Sequence, residues 1–244
     1  MRLTFIGSGD AFGSGGRFNT CFLVEGEACR ILIDCGASSL VALKRAGVDP
    51  NAIDAVVLSH LHGDHFGGLP FFVLDAHHMS RRARPFLIVG PAGATARIAA
   101  AEEVLFPGAS TQPLRFPLEI REMTTGMRDE YLGFAVTPFP AEHSAGAPCH
   151  SLRLELDGRV VTYSGDTAWT DTLLEAAHAA DLFICECSTF ERRLTGHLSY
   201  AELAPRLAAT GARRIILTHL NPDMLERAGG LAHETAHDGL TVTL

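Results

Sequence analysis

Four potential metal ligands fall within six residues of this sequence, His60-Leu61-His62-Gly63-Asp64-His65. Neutral imidazole nitrogens and a carboxylate suit zinc and similar divalent ions. A tight loop there, with Gly63 permitting the turn, is expected to aim His60 and His62 one way and Asp64 and His65 the other. Such an arrangement feeds two ions rather than one. Three further candidates each follow an apolar run: His143 after 134–139, Asp166 after Arg159–Tyr163, and His219 after 214–218. Ligands that cap strands in this way can converge on one rim, and the carboxyl ends of strands are where α/β folds build their sites.

The elements that must deliver these residues are legible as short apolar runs. Strands are expected over 2–6, Cys21–Glu25, 30–34, 53–58, 86–89, 134–139, 182–185 and 214–218. Leu152, Leu154 and Leu156 alternate before Asp157-Gly158, a two-residue turn, and Arg159–Tyr163 returns as the second arm of a hairpin. Helices are expected over 38–46, Ala94–Leu105, 170–179 and 199–209, the last opened by a capping box, Ser199-x-x-Glu202. Hairpins followed by strand–helix alternation, in two halves, read as an α/β fold. No stretch reads as a linker or a repeat, so residues 1–244 are expected to form one domain.

The composition bounds the partners. With 20 basic and 28 acidic residues, a formal net charge of −8, the chain is not expected to grip nucleic acid over its whole surface. Lys44 is its only lysine. Arg81-Arg82-x-Arg84 is the one basic cluster and reads as a solvated surface turn. The start of the chain carries no apolar signal core, and its longest apolar runs, 69–74 among them, are far below the ~20 residues of a membrane helix. The six cysteines lie scattered and read as buried reduced thiols. A cytoplasmic protein is the expectation.

His60, His62, Asp64 and His65, followed by His143, Asp166 and His219, make the sequence resemble the metallo-β-lactamase superfamily of metal-dependent hydrolases. The resemblance runs from Gly7-Ser8-Gly9-Asp10 to the last strand. It implies a four-layer αβ/βα sandwich, two mixed β-sheets flanked by helices, with a two-metal site on one edge. It implies that His60, His62 and His143 hold one ion, that Asp64, His65 and His219 hold a second, and that Asp166 bridges them, with zinc as the expected metal and manganese or iron as substitutes. It also implies a homodimer. True β-lactamases of the superfamily lack a bridging aspartate there, so an antibiotic-cleaving role is disfavoured.

Ile184-Cys185-Glu186-Cys187-Ser188, with Gly196-His197 beyond it, is similar to the ribonuclease Z branch, where a glutamate orients a downstream histidine. Glu186 and His197 fall on those positions, although Cys185 stands where that branch has histidine. A histidine held by a carboxylate can protonate the leaving oxygen of a phosphodiester. Asp34 matches the aspartate that supports the site from behind. The long basic arm with which that branch grips tRNA has no counterpart, since only residues 144–165 separate His143 from Asp166.

These residues lead to one expectation: a phosphodiesterase that uses a metal-bridging hydroxide on a small phosphodiester or nucleotide-type substrate. By the resemblance, Asp64 would accept or orient the nucleophile's proton, and His197, set by Glu186, would serve the leaving group. A ribonuclease Z-type tRNA 3′ endonuclease is the alternative within the class. An ester or thioester hydrolase, an iron-dependent redox protein and a metal-clamp binding module are the others. The Gly7–Gly16 loop lacks the lysine of a phosphate-binding P-loop and is expected to cover the metal rim, with Arg17 and Asn19 as candidates for substrate contact but a loop without such contact the favoured reading. His77, His78, His150, His178, His233 and His237 read as surface histidines. Trp169 reads as pocket lining or ordinary packing.

Overall fold

Strands covered on both faces need apolar side chains at every position, and this chain supplies them. In the computed structural model, which describes residues 1–244, Phe22, Val24, Ile31 and Ile33 point into one buried cluster while Cys21, Leu23 and Leu32 point into another. The same period of two divides Leu182 and Ile184 from Phe183 and Cys185. Four layers follow from that division.

The first sheet holds β1 (Arg2–Gly7), β2 (Cys21–Glu25), β3 (Arg30–Ile33), β4 (Ala55–Val57), β5 (Phe86–Gly90), β6 (Leu118–Glu122) and β14 (Thr241–Thr243), in the order β14-β1-β2-β3-β4-β5-β6. The second holds β7 (Asp129–Tyr131), β8 (Phe134–Pro140), β9 (His150–Leu156), β10 (Arg159–Tyr163), β11 (Leu182–Glu186), β12 (Ile215–Thr218) and β13 (Glu234–Thr235), in the order β13-β12-β11-β10-β9-β8-β7. Each sheet begins with antiparallel hairpins and continues with parallel strands. Parallel neighbours require crossovers. In the first half these carry α1 (Ser39–Arg45), α2 (Gly63–Phe66), α3 (Leu69–His78) and α4 (Ala94–Leu105), and in the second α5 (Thr172–Ala177), α6 (Tyr200–Leu203) and α7 (Pro222–Arg227). The helices cover the outer faces of the two sheets, and the central cluster lies between the sheets. This is the expected four-layer sandwich.

Several local readings are corrected. The helix expected over 199–209 breaks into α6 and a 3₁₀ turn at Leu207–Thr210, because Pro205 removes a backbone donor from its middle. The capping box does not form: Ser199 makes no side-chain cap, and Glu202 pairs with Arg206 instead. Arg82 is not solvated. It is 2% exposed, donates to the carbonyls of Asn51, Ile53, Arg84 and Pro85, and stacks on Phe86. Arg84 pairs with Asp54. His150 and His77 are buried rather than on the surface, His150 because it opens β9 between β8 and β10 and meets Thr125 Oγ1 at 2.8 Å. Trp169 packs beneath Arg206. Lys44, the only lysine, pairs with the buried Asp75. All six cysteines are free and buried. No helix is long and apolar enough to cross a membrane.

Candidate metal centre

Strand direction brings the ligands to one rim, since β3, β4, β8, β10, β11 and β12 all present their carboxyl ends there. Asp34 leaves β3 with φ 57°, a left-handed conformation that costs a non-glycine residue energy. Its carboxylate accepts from Ser59 N, Ser59 Oγ and His65 Nδ1, each at 2.7 Å. Because the Ser59 hydroxyl donates to Asp34, it accepts from His60 Nδ1 at 3.1 Å. Both imidazoles therefore keep Nε2 free for the rim. Gly36 completes the corner, and a Cβ there would overlap the Asp64 carbonyl.

On the other sheet, His143 Nδ1 donates to the Gly196 carbonyl at 2.8 Å, and its Nε2 lies 3.0 Å from His62 Nδ1. Gly196, at φ +75°, is needed twice over, because a Cβ would come within 2.8 Å of His143 Nδ1. His219 is held at φ 61° while its amide donates to the Ser8 carbonyl. Its Nε2 is 3.3 Å from Asp64 Oδ2.

All seven ligand candidates come together in two sets. His60, His62 and His143 form one, and Asp64, His65, Asp166 and His219 the other, with ligand atoms in each within 4.8 Å of one another. Asp166 stands between them. Its Oδ2 lies 3.3 Å from His65 Nε2, 3.5 Å from His219 Nε2, 3.8 Å from His60 Nε2 and 4.0 Å from His143 Nε2.

The two halves differ in charge. Burial and neighbouring imidazoles hold His60 well below the usual histidine range. Burial pushes His219 down as well, yet Asp166, Asp64 and Glu186 outweigh it and bring it up to about 9. Burial would raise Asp64, but His65 and His219 keep it well below the usual carboxylate range. This half attracts positive charge. The buried atoms His60 Nε2, His65 Nε2 and Asp166 Oδ1 have no hydrogen-bond partner, a costly state unless something else meets them. Orphaned nitrogen and oxygen donors converging on one point fit divalent cations.

Glu186 and His197 also meet. Glu186 ends β11 fully buried, accepts from Thr167 N at 2.7 Å and lies 3.1 Å from His197 Nδ1. Burial lowers His197, but Glu186 outweighs it and raises the imidazole above its ordinary value. The ring, 21% exposed, sits 4.9 Å from that of His143 and stacks 5.7 Å from that of His219, so it spans both sets. Arg17 and Asn19 do not reach into the rim. Arg17 donates to the Ala236 carbonyl, and Asn19 braces Asp10 and Ser38. Ser8, Ser59 and Thr167 were not expected at the site. Each acts through a hydroxyl or backbone atom next to a ligand or glycine, which leaves little trace in residue type.

Comparison with known proteins gives consistent relatives. A family model described as anti-Pycsar protein Apyc1 matches residues 1–239. The chain is 26% identical to a ribonuclease Z of Agathobacter rectalis, over 86% of this chain and 84% of that one. It is 30% identical to an uncharacterised protein of Mycobacterium leprae, over 91% and 78%. Among solved structures, the short form of human tRNase Z superposes with a TM-score of 0.80 at 23% identity, covering 100% of this chain and 99% of that one. A diphosphatase of the PhnP family gives 0.79 at 19%, covering 100% and 97%. The metallo-β-lactamase fold protein YhfI of Bacillus subtilis gives 0.78 at 20%, covering 99% of each.

Proposed function

The chain belongs to the family described as anti-Pycsar protein Apyc1, and from that membership and the two ligand sets we propose that it is a dinuclear metal-dependent phosphodiesterase acting on a small phosphodiester of nucleotide type. The observation that carries this reading is Asp166, whose carboxylate lies within reach of ring nitrogens from both sets. A carboxylate between two dications offsets their mutual repulsion and permits a close pair. His60, His62 and His143 would hold one ion, Asp64, His65 and His219 the other, with Asp166 shared. Zinc suits this donor set, and manganese or iron also fits. Such ions supply Lewis acidity toward phosphoryl oxygens and a nucleophile available near neutral pH.

The chain's own groups handle the protons. Asp64, kept ionised by His65 and His219, orients the attacking water by accepting a hydrogen bond from it. Glu186 fixes His197 through Nδ1, which leaves Nε2 to deliver a proton to the leaving oxygen. Thr167 N, bound to the same carboxylate oxygen, keeps Glu186 from turning away.

A second reading, tRNA 3′ processing, is favoured by similarity along most of the chain to proteins named ribonuclease Z. Against it, residues 144–165 are largely taken up by β9 and β10, and Arg82 is buried away from any RNA. The test is hydrolysis of bis(p-nitrophenyl) phosphate and of a tRNA precursor by stripped protein reloaded with zinc, manganese or iron, with Asp166→Ala as the blank. Metal-dependent turnover of the diester alone, lost in the variant, is expected. Cleavage of the precursor selects the second reading, and no turnover despite two bound ions overturns both.

A further inference from the structure

The loop between β1 and β2 carries one side chain that the reaction above does not use. β1 runs parallel to β4, because β1–β2 and β2–β3 are antiparallel and β3–β4 is parallel. Its carboxyl end therefore lies at the same sheet edge as His60 and its neighbours. The loop is fastened to the ligands themselves. The Ser8 carbonyl takes the His219 amide and the Thr218 hydroxyl, and the Cβ position at Gly36 touches both Asn19 and the Asp64 backbone.

The rest of the loop is fixed as well. Asp238 accepts from Ser8 N, Ser8 Oγ and Phe18 N, tying both ends to the C-terminal segment. Asp10 accepts from Phe12 N, Ser14 N and Ser14 Oγ, which sets the tip as one turn. The polar side chains that could have faced a substrate, Arg17 and Asn19, are spent on this bracing. What the loop presents instead is Phe12, 85% exposed, the most exposed of the large hydrophobic residues, with no ring or cation stacked on it. A rigid mount at the rim and a bare aromatic face together define a stacking platform.

Resting on the phosphodiesterase reading, we infer that Phe12 is a specificity residue on which the base of a nucleoside phosphodiester stacks while its phosphoryl group occupies the paired ligand sets. Every base has a π-face, so the platform tolerates different bases while rejecting diesters that have none. Base–aromatic stacking is worth roughly ten- to hundred-fold in affinity.

Two substrates with the same leaving group isolate this increment: thymidine 5′-(p-nitrophenyl phosphate) and methyl p-nitrophenyl phosphate. The metal-loaded protein is expected to prefer the nucleoside substrate, by at least about tenfold in kcat/KM. Phe12→Ala abolishes that preference through KM and leaves the methyl substrate unchanged, while Phe12→Trp keeps it. Equal losses on both substrates, or none, overturn the stack. A binding readout stands apart from turnover: thymidine 5′-monophosphate quenches the indole fluorescence of Phe12→Trp, and methyl phosphate does not. Equal quenching by the two ligands overturns the stack even where turnover is absent. Failure of every preparation to hydrolyse either diester overturns the phosphodiesterase reading alone.

Discussion

His197 is where the chemistry can be separated from mere positioning. A general acid matters in proportion to how badly the leaving group needs a proton. His197→Ala is expected to lower kcat about 100-fold or more on a diester with an alkoxide leaving group, and only a few-fold on nitrophenolate. Equal losses on both would remove the role. Since Glu186 raises the imidazole against burial, Glu186→Gln moves the alkaline limb of the alkoxide pH profile to lower pH. His150 is a different case, buried and uncompensated, its imidazole held down to about 4. The unfolded chain, with histidine near 6.5, binds the proton first as pH falls, so this stability is complete above about 6.5 and lost toward 4. It amounts to about 2 kcal/mol between pH 7 and pH 5, and urea titrations at those two values should show the drop shrink in His150→Gln. At this scale the sequence was most informative where side chains alone act. His60 to His65 declare themselves by spacing. Ser59, the Gly196 carbonyl and the Ser8 carbonyl do not, because a serine beside a histidine or a peptide oxygen has no distinctive type.

Elements were legible where periodicity and punctuation agreed. Ala94–Leu105 is a helix over the expected bounds, and Asp157 and Gly158 both take positive φ at the hairpin turn. α3 was hidden because Leu69–Leu74 is apolar all round, so its run gives no helical period. The 199–209 helix misled because the capping pattern begins only six residues ahead of Pro205, and the proline wins. Arg81–Arg84 shows the same limit of composition as a guide. Arg82 there is a cross-brace joining the carbonyls before β4 to those before β5. Arg82→Ala leaves those carbonyls unpaired around a cavity and should destabilise by about 3–4 kcal/mol. Arg84→Ala breaks only an exposed pair and should cost under about 1 kcal/mol. Comparable losses in urea denaturation would contradict the brace.

At the scale of the molecule, the ligand candidates come from both sheets. His60, His62, Asp64 and His65 follow β4 of the first, and His143, Asp166 and His219 follow β8, β10 and β12 of the second. Ions held across that seam would clamp the two halves together. A ligand bound only by the folded state at a hundred times its Kd adds about 2.7 kcal/mol, or roughly 5–10 °C in Tm for a chain of this size. Stripping with a chelator should lower Tm by that order, reloading should restore it, and Asp166→Ala should respond much less. A Tm indifferent to metal would count against the seam site. An α/β fold was readable from hairpins followed by strand–helix alternation, and the sandwich from the resemblance that the ligand residues carry. β7, β13 and β14 were not, being two or three residues long and set at sheet edges.

The pairing of Lys44 with buried Asp75 has a practical side. That ε-amine is the only one in the chain, it is already engaged, and every thiol lies inside. The native surface therefore offers one half-exposed ε-amine to amine-directed reagents and no thiol to thiol-directed ones. One cysteine introduced on an exposed loop would be the sole reactive thiol, so a dye or cross-linker attaches at a chosen position without removing any native residue.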